Sequence, residues 1–187
     1  KVPYFIECNL IKIKKLQTII QKIIKSKGPI DILINNAAND DRHSTDQVDE
    51  KYWNNRMDVN LKHFFFTIKA VLKGMIKNNG GAIVNLSSVS WMLGEGDKVA
   101  YETAKSAVIG LTRSFAREFG KYNIRCNSVT PGSIATERQI KHWLTQKYKK
   151  FILDKQCLKR QLKPDDVASL VVYLSSDVSS GCTKQNF

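Results

Sequence analysis

Three short apolar runs constrain this sequence most: Ile30-Asp-Ile-Leu-Ile34, Ala82-Ile-Val-Asn-Leu86 and Ile124 to Val129. Each is nearly continuous in hydrophobicity rather than alternating, as in a strand covered on both faces of a parallel sheet. Each is separated from the next by far more chain than a hairpin needs. Parallel neighbours require such long crossovers, most often helical. The intervening chain supplies them. One helix is predicted from about Asn54 to Lys77, ending near Asn79-Gly80-Gly81, and another from about Val99 to Phe119, closed by Gly120. Strands alternating with helices imply an α/β domain built as a doubly wound parallel sheet.

The flanking segments extend the pattern. Pro3 to Cys8 reads as a further strand. Apolar residues at Leu16, Ile19, Ile20, Ile23 and Ile24 have helical spacing, and Gly28-Pro29 breaks that helix. Asn35 to Thr45 and Ser87 to Asp97 are loops. The third strand stops at Pro131-Gly132, and residues 133–162 read as polar, basic and irregular. Pro164 opens a last helix to about Leu174, with Asp165 and Asp166 suited to its N-terminal turn. One partial domain over residues 1–187 is expected, of ordinary soluble composition at 42% hydrophobic and 25% charged residues.

Composition also narrows the function. The four cysteines, Cys8, Cys126, Cys157 and Cys182, form no C-x-x-C pair, so neither a metal site nor a disulfide framework is expected, and a reducing cytoplasmic location fits. There is no apolar run long enough for a bilayer and no secretory signal, so no membrane partner is expected. The net charge of +13 comes from 30 basic and 17 acidic residues. Lysines are spread over most predicted helices without an aromatic–basic motif, which reads as a lysine-rich surface and not as a nucleic-acid site.

Chemistry-bearing residues gather where the strands end. Tyr101-Glu-Thr-Ala-Lys105 puts a phenol and an ammonium on one helix face. A nearby cation favours the phenolate, which would bring the tyrosine closer to acid–base work at neutral pH. Ser88, 13 residues earlier, follows the strand that ends at Leu86, where α/β sheets bind ligands, and could hold a substrate oxygen. Asn60 lies within a helix on a face rich in Leu61, Phe64 and Phe65, so its amide needs a partner. Asn35-Asn36-Ala37-Ala38 offers small residues to a flat cofactor and amides to tie strands. Pro131-Gly132, with Ile134 and Thr136, offers backbone N–H groups to an amide or phosphate.

In this order, these blocks resemble the short-chain dehydrogenase/reductase family over nearly the whole chain. The resemblance implies a Rossmann-type fold and the tetrad Asn60, Ser88, Tyr101 and Lys105. In it, Tyr101 is the acid/base, Ser88 positions the reacting oxygen, Lys105 binds the nicotinamide ribose and Asn60 organises a proton-relay water. It implies cofactor contacts at Asn9, Leu10, Asn35, Ala37, Ala38, Tyr101, Lys105, Pro131, Gly132, Ile134 and Thr136. Ala38 departs from the family's usual glycine. The cofactor is NAD or NADP, with NAD favoured, and the full-length protein is expected to be a homodimer or homotetramer.

Asn39-Asp-Asp-Arg-His43, Ser90-Trp-Met-Leu-Gly94, Thr136-Glu-Arg-Gln139 with Trp143, and Gln156-Cys-Leu-Lys159 are further similar to bacterial sugar 1-dehydrogenases of the D-xylose type. That similarity implies an aldose substrate oxidised at C1 to the lactone, with Ser88, Asn39, Trp91 and Gln139 contacting it. The alternatives are reduction of another carbonyl, of the 3-oxoacyl thioester or steroid type, or an inactive remnant. The family's glycine-rich phosphate loop and first two strands should precede Pro3, and its last strand should begin about Gln185 to Phe187. The chain is therefore expected to be N-terminally truncated, to expose an apolar sheet edge and to be inactive as it stands.

Overall fold

A computed structural model describes residues 3–187. Strands β1 (Ile32–Asn35), β2 (Gly81–Leu86) and β3 (Ile124–Val129) pair in the order β1-β2-β3, all parallel. The register sets Ile32 opposite Ala82, and Gly81 opposite Ile124. Helix α1 (Ile13–Lys27) precedes β1. The first crossover holds α2 (Glu50–Met57), a π-helical turn (Asp58–Lys62) and α3 (His63–Lys77). The second holds α4 (Ser90–Leu93) and α5 (Val99–Phe119). After β3 come α6 (Glu137–His142), α7 (Gln146–Lys155) and α8 (Pro164–Ser175).

The period-two alternation of the strands divides the core. Ile83, Ile124 and Cys126 face Leu16 and Ile20 of α1, Ile68, Val71, Leu72 and Met75 of α3, and Phe115 and Ala116 of α5. On the opposite face Val84, Leu86 and Val129 pack on Leu174 of α8. Helices thus cover both faces, as the doubly wound reading expected. Polar atoms stitch the first face together. Thr67 Oγ1 donates to Asn35 Oδ1 (2.7 Å), Asn35 Nδ2 to Asn85 Oδ1 (2.9 Å), and Asn85 Nδ2 to Thr112 Oγ1 (3.0 Å). On the other face, Arg125 donates to the carbonyls of Leu174 (2.9 Å) and Ser176 (3.0 Å), tying β3 to the end of α8.

Local chemistry explains the element ends. Gly28 caps α1 at φ +94°, where a side chain would be strained. At Gly81 a Cβ would lie 2.7 Å from Met75, so the start of β2 fits against α3 only without a side chain. Asp49 accepts from Tyr52 N (2.6 Å) and starts α2, so the long helix begins at Glu50, earlier than the expected Asn54. Its interruption by a π-turn was not anticipated. In residues 133–162, expected to be irregular, Thr136 and Thr145 cap α6 and α7 through Gln139 N and Tyr148 N (both 3.2 Å). At α8, Asp166 accepts from Lys163 N (2.8 Å), with Pro164 in the first turn.

Pro3 to Cys8 is not a strand. No strand lies beside it among the described residues, and an isolated extended segment gains no ladder. The last residues do pair: Ser128 N donates to Gln185 O (3.0 Å) and Phe187 N to Ser128 O (3.0 Å), a parallel bridge that continues the sheet beyond β3.

The outer side of β1 has no neighbouring strand among the described residues, and Ile32 and Ile34 are 48% and 47% exposed. Such a strand is a template for self-association. A polypeptide of these 187 residues should therefore associate in light scattering, and Ile34→Lys should reduce that association while leaving far-ultraviolet circular dichroism unchanged. Undiminished association in the variant would place the contact elsewhere.

Candidate active site

The site is built from the carboxyl ends of the strands. Past the end of β2, Ser87 Oγ donates to the Lys105 carbonyl (2.7 Å), while Lys105 Nζ donates back to the Leu86 carbonyl (2.6 Å). These two bonds dock the first turns of α5 beside Ser88. One turn before Lys105, Tyr101 lies with its ring centroid 5.7 Å from Nζ, and Phe64 closes the other side at 5.2 Å. Lys105 is 1% exposed. Burial lowers its pKa to about 8, against which the Asp40 charge works.

Burial also pushes Tyr101 up to about 12; Ser88 beside it lowers the value, and Asp40 and Glu102 raise it further. The phenol is thus not brought down as the lysine spacing led us to expect: the cost of burying a phenolate is the largest contribution. The Ser88 hydroxyl shares its closest hydrogen bond with Ser90 Oγ (3.0 Å) and accepts from Ser90 N (3.2 Å).

Asn60 sits in the π-turn, fully buried. Its Oδ1 accepts from Asn39 N (2.8 Å), and its Nδ2 is buried without a partner among the described residues. π-turns recur at functional sites because the extra residue re-aims a side chain. His63, which sequence reasoning missed, fixes this one. Its Nε2 lies 2.9 Å from the Val59 carbonyl and 3.1 Å from the Ala37 carbonyl, which requires the proton on Nε2. Burial lowers the His63 pKa, opposed by those two carbonyl bonds and aided by Lys105. The imidazole is therefore a strut between the π-turn and the loop after β1.

That loop carries a charged network. Asn39 Oδ1 accepts from Asp41 N and from Arg56 Nη1 (both 2.9 Å). Arg138 donates to Asp41 (2.7 Å) and Asp40 (3.3 Å), and Gln139 Nε2 donates to Asp40 Oδ2 (2.6 Å). Arg42 pairs with Asp97 (2.7 Å) and lies 4.6 Å over the Trp143 ring. Helix α6 is thus strapped across the loop of residues 39–42.

The remaining predicted residues divide into three groups. Ala37 and Ala38 are exposed beside the end of β1, and Gly132 is exposed after β3 with open space where a side chain would stand. The Pro131 carbonyl accepts from Val89 N (3.0 Å), Ile134 pairs with Leu162, and Thr136 caps α6. Asn35 is different: its side chain is spent on Thr67 and Asn85, which leaves only its backbone for a cofactor. Asn9 and Leu10 are not joined to the cluster by any hydrogen bond among the described residues. Asn9 accepts from Ile11 N (3.2 Å) ahead of α1, and Leu10 packs on the core. Trp91 is half-buried, and its indole N–H has no partner among the described residues. Among the same residues no cluster could hold a metal ion, and no helix is long and apolar enough to cross a membrane.

The family model described as enoyl-(acyl carrier protein) reductase matches residues 1–187. The D-xylose 1-dehydrogenase of Caulobacter vibrioides is 43% identical over 185 residues, covering 99% of this chain and 73% of that protein. A protein named probable galactose dehydrogenase from Rhizobium meliloti is 40% identical, covering 99% and 72%. The 3-oxoacyl-[acyl-carrier-protein] reductase of Thermotoga maritima is 35% identical, covering 98% and 73%. Among solved structures, a Sinorhizobium meliloti protein described as a "putative short-chain alcohol dehydrogenase" superposes with a TM-score of 0.91 at 30% identity, over 97% of this chain and 72% of that one.

A phenol raised to about 12 titrates late, and the sign follows. Between its unfolded value near 10 and about 12 the folded state holds the extra proton, so this group's contribution to stability falls as pH rises through that window. The phenolate absorbance of the ligand-free protein, less that of Tyr101→Phe, should therefore show no Tyr101 ionisation below about pH 10. A component titrating near neutrality would overturn the dominance of burial.

Proposed function

Because the chain belongs to the short-chain dehydrogenase/reductase family and is an NAD(P)-dependent oxidoreductase acting on CH–OH donors, we propose that it oxidises the C1 hydroxyl of a ring-form aldose, D-xylose first, to the lactone. The observation that carries this reading is the polar rim beside Tyr101. There Asn39, Asp40 and Gln139 present amides and carboxylate, with the Trp91 ring close by in sequence to Ser88. Polar groups that read hydroxyls beside an aromatic suit a sugar. The 43% and 40% identities to two sugar dehydrogenases support the same substrate class.

Ser88 Oγ holds the C1 oxygen, and Tyr101 Oη takes its proton. A bound nicotinamide dinucleotide supplies the acceptor for the C1 hydride, and NAD is the form we favour. Lys105 is the group for the ribose hydroxyls. The exposed backbone of Ala37 and Ala38 and the turn of Pro131, Gly132, Ile134 and Thr136 flank the ring. Asn60, with its free Nδ2, holds a water that passes the tyrosine proton outward. Asn9, Leu10 and the backbone of Asn35 complete the proposed cofactor contacts.

A panel of pentoses, hexoses, 3-oxoacyl thioesters and steroids, run on the full-length protein with NAD and with NADP, tests the substrate. Aldose-dependent formation of reduced cofactor should dominate, and Tyr101→Phe should lower kcat by about 10²–10⁴-fold, the usual contribution of acid–base catalysis. Turnover confined to acyl thioesters or steroids would remove the sugar, and near-normal kcat in the variant would remove Tyr101 from its role.

The outer faces of α3 and α5 are the surface we assign to a homodimer or homotetramer. Phe65 is 41% exposed there, 5.7 Å from Phe115, which stacks on Phe119. Multi-angle light scattering of the full-length protein should read a dimer or tetramer that Phe65→Glu dissociates. A wild-type monomer contradicts the assignment.

A further inference from the structure

Asp40 has no role in the tetrad, yet it occupies an unusual position. Its neighbour Asn39 is anchored to Asn60 by the 2.8 Å bond from the Asn39 backbone, which fixes the root of the loop at the active-site cluster. Its charge acts on both Tyr101 and Lys105, raising each. A carboxylate beside a proposed base opposes phenolate formation, so as mere scaffolding it would work against the reaction. As scaffolding it makes one bond through each carboxylate oxygen, and the shorter of the two is to an uncharged group. The adjacent Asp41 is committed: burial raises its pKa, but hydrogen bonding with Arg138 and Asn39 and the charge of Arg56 hold it below the ordinary value. Arg138 approaches Asp41 at 2.7 Å but Asp40 only at 3.3 Å, through Nε. The short partner of Asp40 is instead a neutral amide, Gln139 Nε2 at 2.6 Å, reaching across from α6. A neutral donor at the end of a flexible side chain is what a substrate hydroxyl could replace at little cost.

We propose that the Asp40 carboxylate is the hydroxyl-reading group of this site. It accepts a hydrogen bond from one non-reacting hydroxyl of the sugar, and Gln139 occupies that acceptor until substrate arrives. The inference rests on the aldose reading above. It adds that recognition is concentrated on a single ring hydroxyl opposite a charge, and that substrate entry exchanges the bond strapping α6 to the loop of residues 39–42. No covalent step is involved.

The test is a series of aldoses each lacking one hydroxyl, compared with the parent sugar in the wild-type protein and in Asp40→Asn. A hydrogen bond to a charged acceptor corresponds to roughly 10–100-fold in kcat/KM. One deoxygenation, away from C1, should cost about that factor in the wild type and little in Asp40→Asn, while the other deoxygenations behave alike in both proteins. A wild type in which no single deoxygenation costs more than about two-fold overturns the proposal without any substitution, so it remains testable even if the variant does not fold. A variant that lowers every sugar equally, with the deoxygenation pattern unchanged, also overturns it and leaves Asp40 as a loop support. A wild type that turns over acyl thioesters and no aldose is a separate outcome: it removes the aldose reading, and this inference with it.

Discussion

The reciprocal pair between the end of β2 and α5, Ser87 Oγ to the Lys105 carbonyl and Lys105 Nζ to the Leu86 carbonyl, is the constraint on which the site depends. A strand end and a helix start are joined here by two bonds of opposite direction, so neither can slide without breaking both. Ser88 follows Ser87 directly, and Tyr101 is one helical turn before Lys105. The proposed oxygen-binding and proton-handling groups therefore inherit their separation from this clip. It also carries an electrostatic cost. Burial works against the charged ammonium and lowers its pKa to about 8, with the Asp40 charge acting the other way.

Rigidity behind the clip comes from polar groups placed where apolar ones would be expected. The chain Thr67–Asn35–Asn85–Thr112 runs from α3 through two strands to α5 at the level of the last β1 residue. Each amide in it is paired on the bonds it makes, so burial strengthens the links. Leucine at Asn85 would leave the Asn35 amide and the Thr112 hydroxyl without those partners in the core. On the opposite face Arg125 meets the carbonyls at the end of α8 in the same manner. Helices on both sides of the sheet are thus held in register as well as by apolar contact.

The strand-and-helix alternation was legible in the sequence because β2, β3 and α5 each satisfy local propensity and burial together. For α5 the observed Val99–Phe119 coincides with the reading from apolar spacing and Gly120. Pro3 to Cys8 misled because an apolar extended segment becomes a strand only beside another. The capping signature of α6 was present, since Thr136-Glu-Arg-Gln139 has the S/T-x-x-Q form, but surrounding basic residues masked it. Asn60 stood out as an amide among apolar residues. The π-turn did not, because one extra residue in a turn leaves no periodic trace, and its strut His63 reads in sequence as one more aromatic on a buried face. The raised Tyr101 pKa was unreadable for a related reason. Spacing reports which cation lies near, whereas the value depends on how much water is excluded.

Burial acts in opposite directions on the two groups at the centre of the site. It raises an acid and lowers a base, so both lean toward neutrality. The linkage signs differ accordingly. The penalty on Lys105 is fully present below about pH 8 and fades toward 10.5, so stability rises through that window; the neutral Tyr101 loses its advantage only above about 10. Near neutral pH the phenol is protonated, ready to donate to a carbonyl oxygen, while proton abstraction requires something that favours the phenolate. Ser88 is one such group in this structure, and Asp40 opposes it. A ligand that hydrogen-bonds Asp40 would weaken that opposition, and one that brings positive charge beside the ring would stabilise the phenolate directly. The resting geometry therefore favours the acid role, and the base role has to be brought about by what binds.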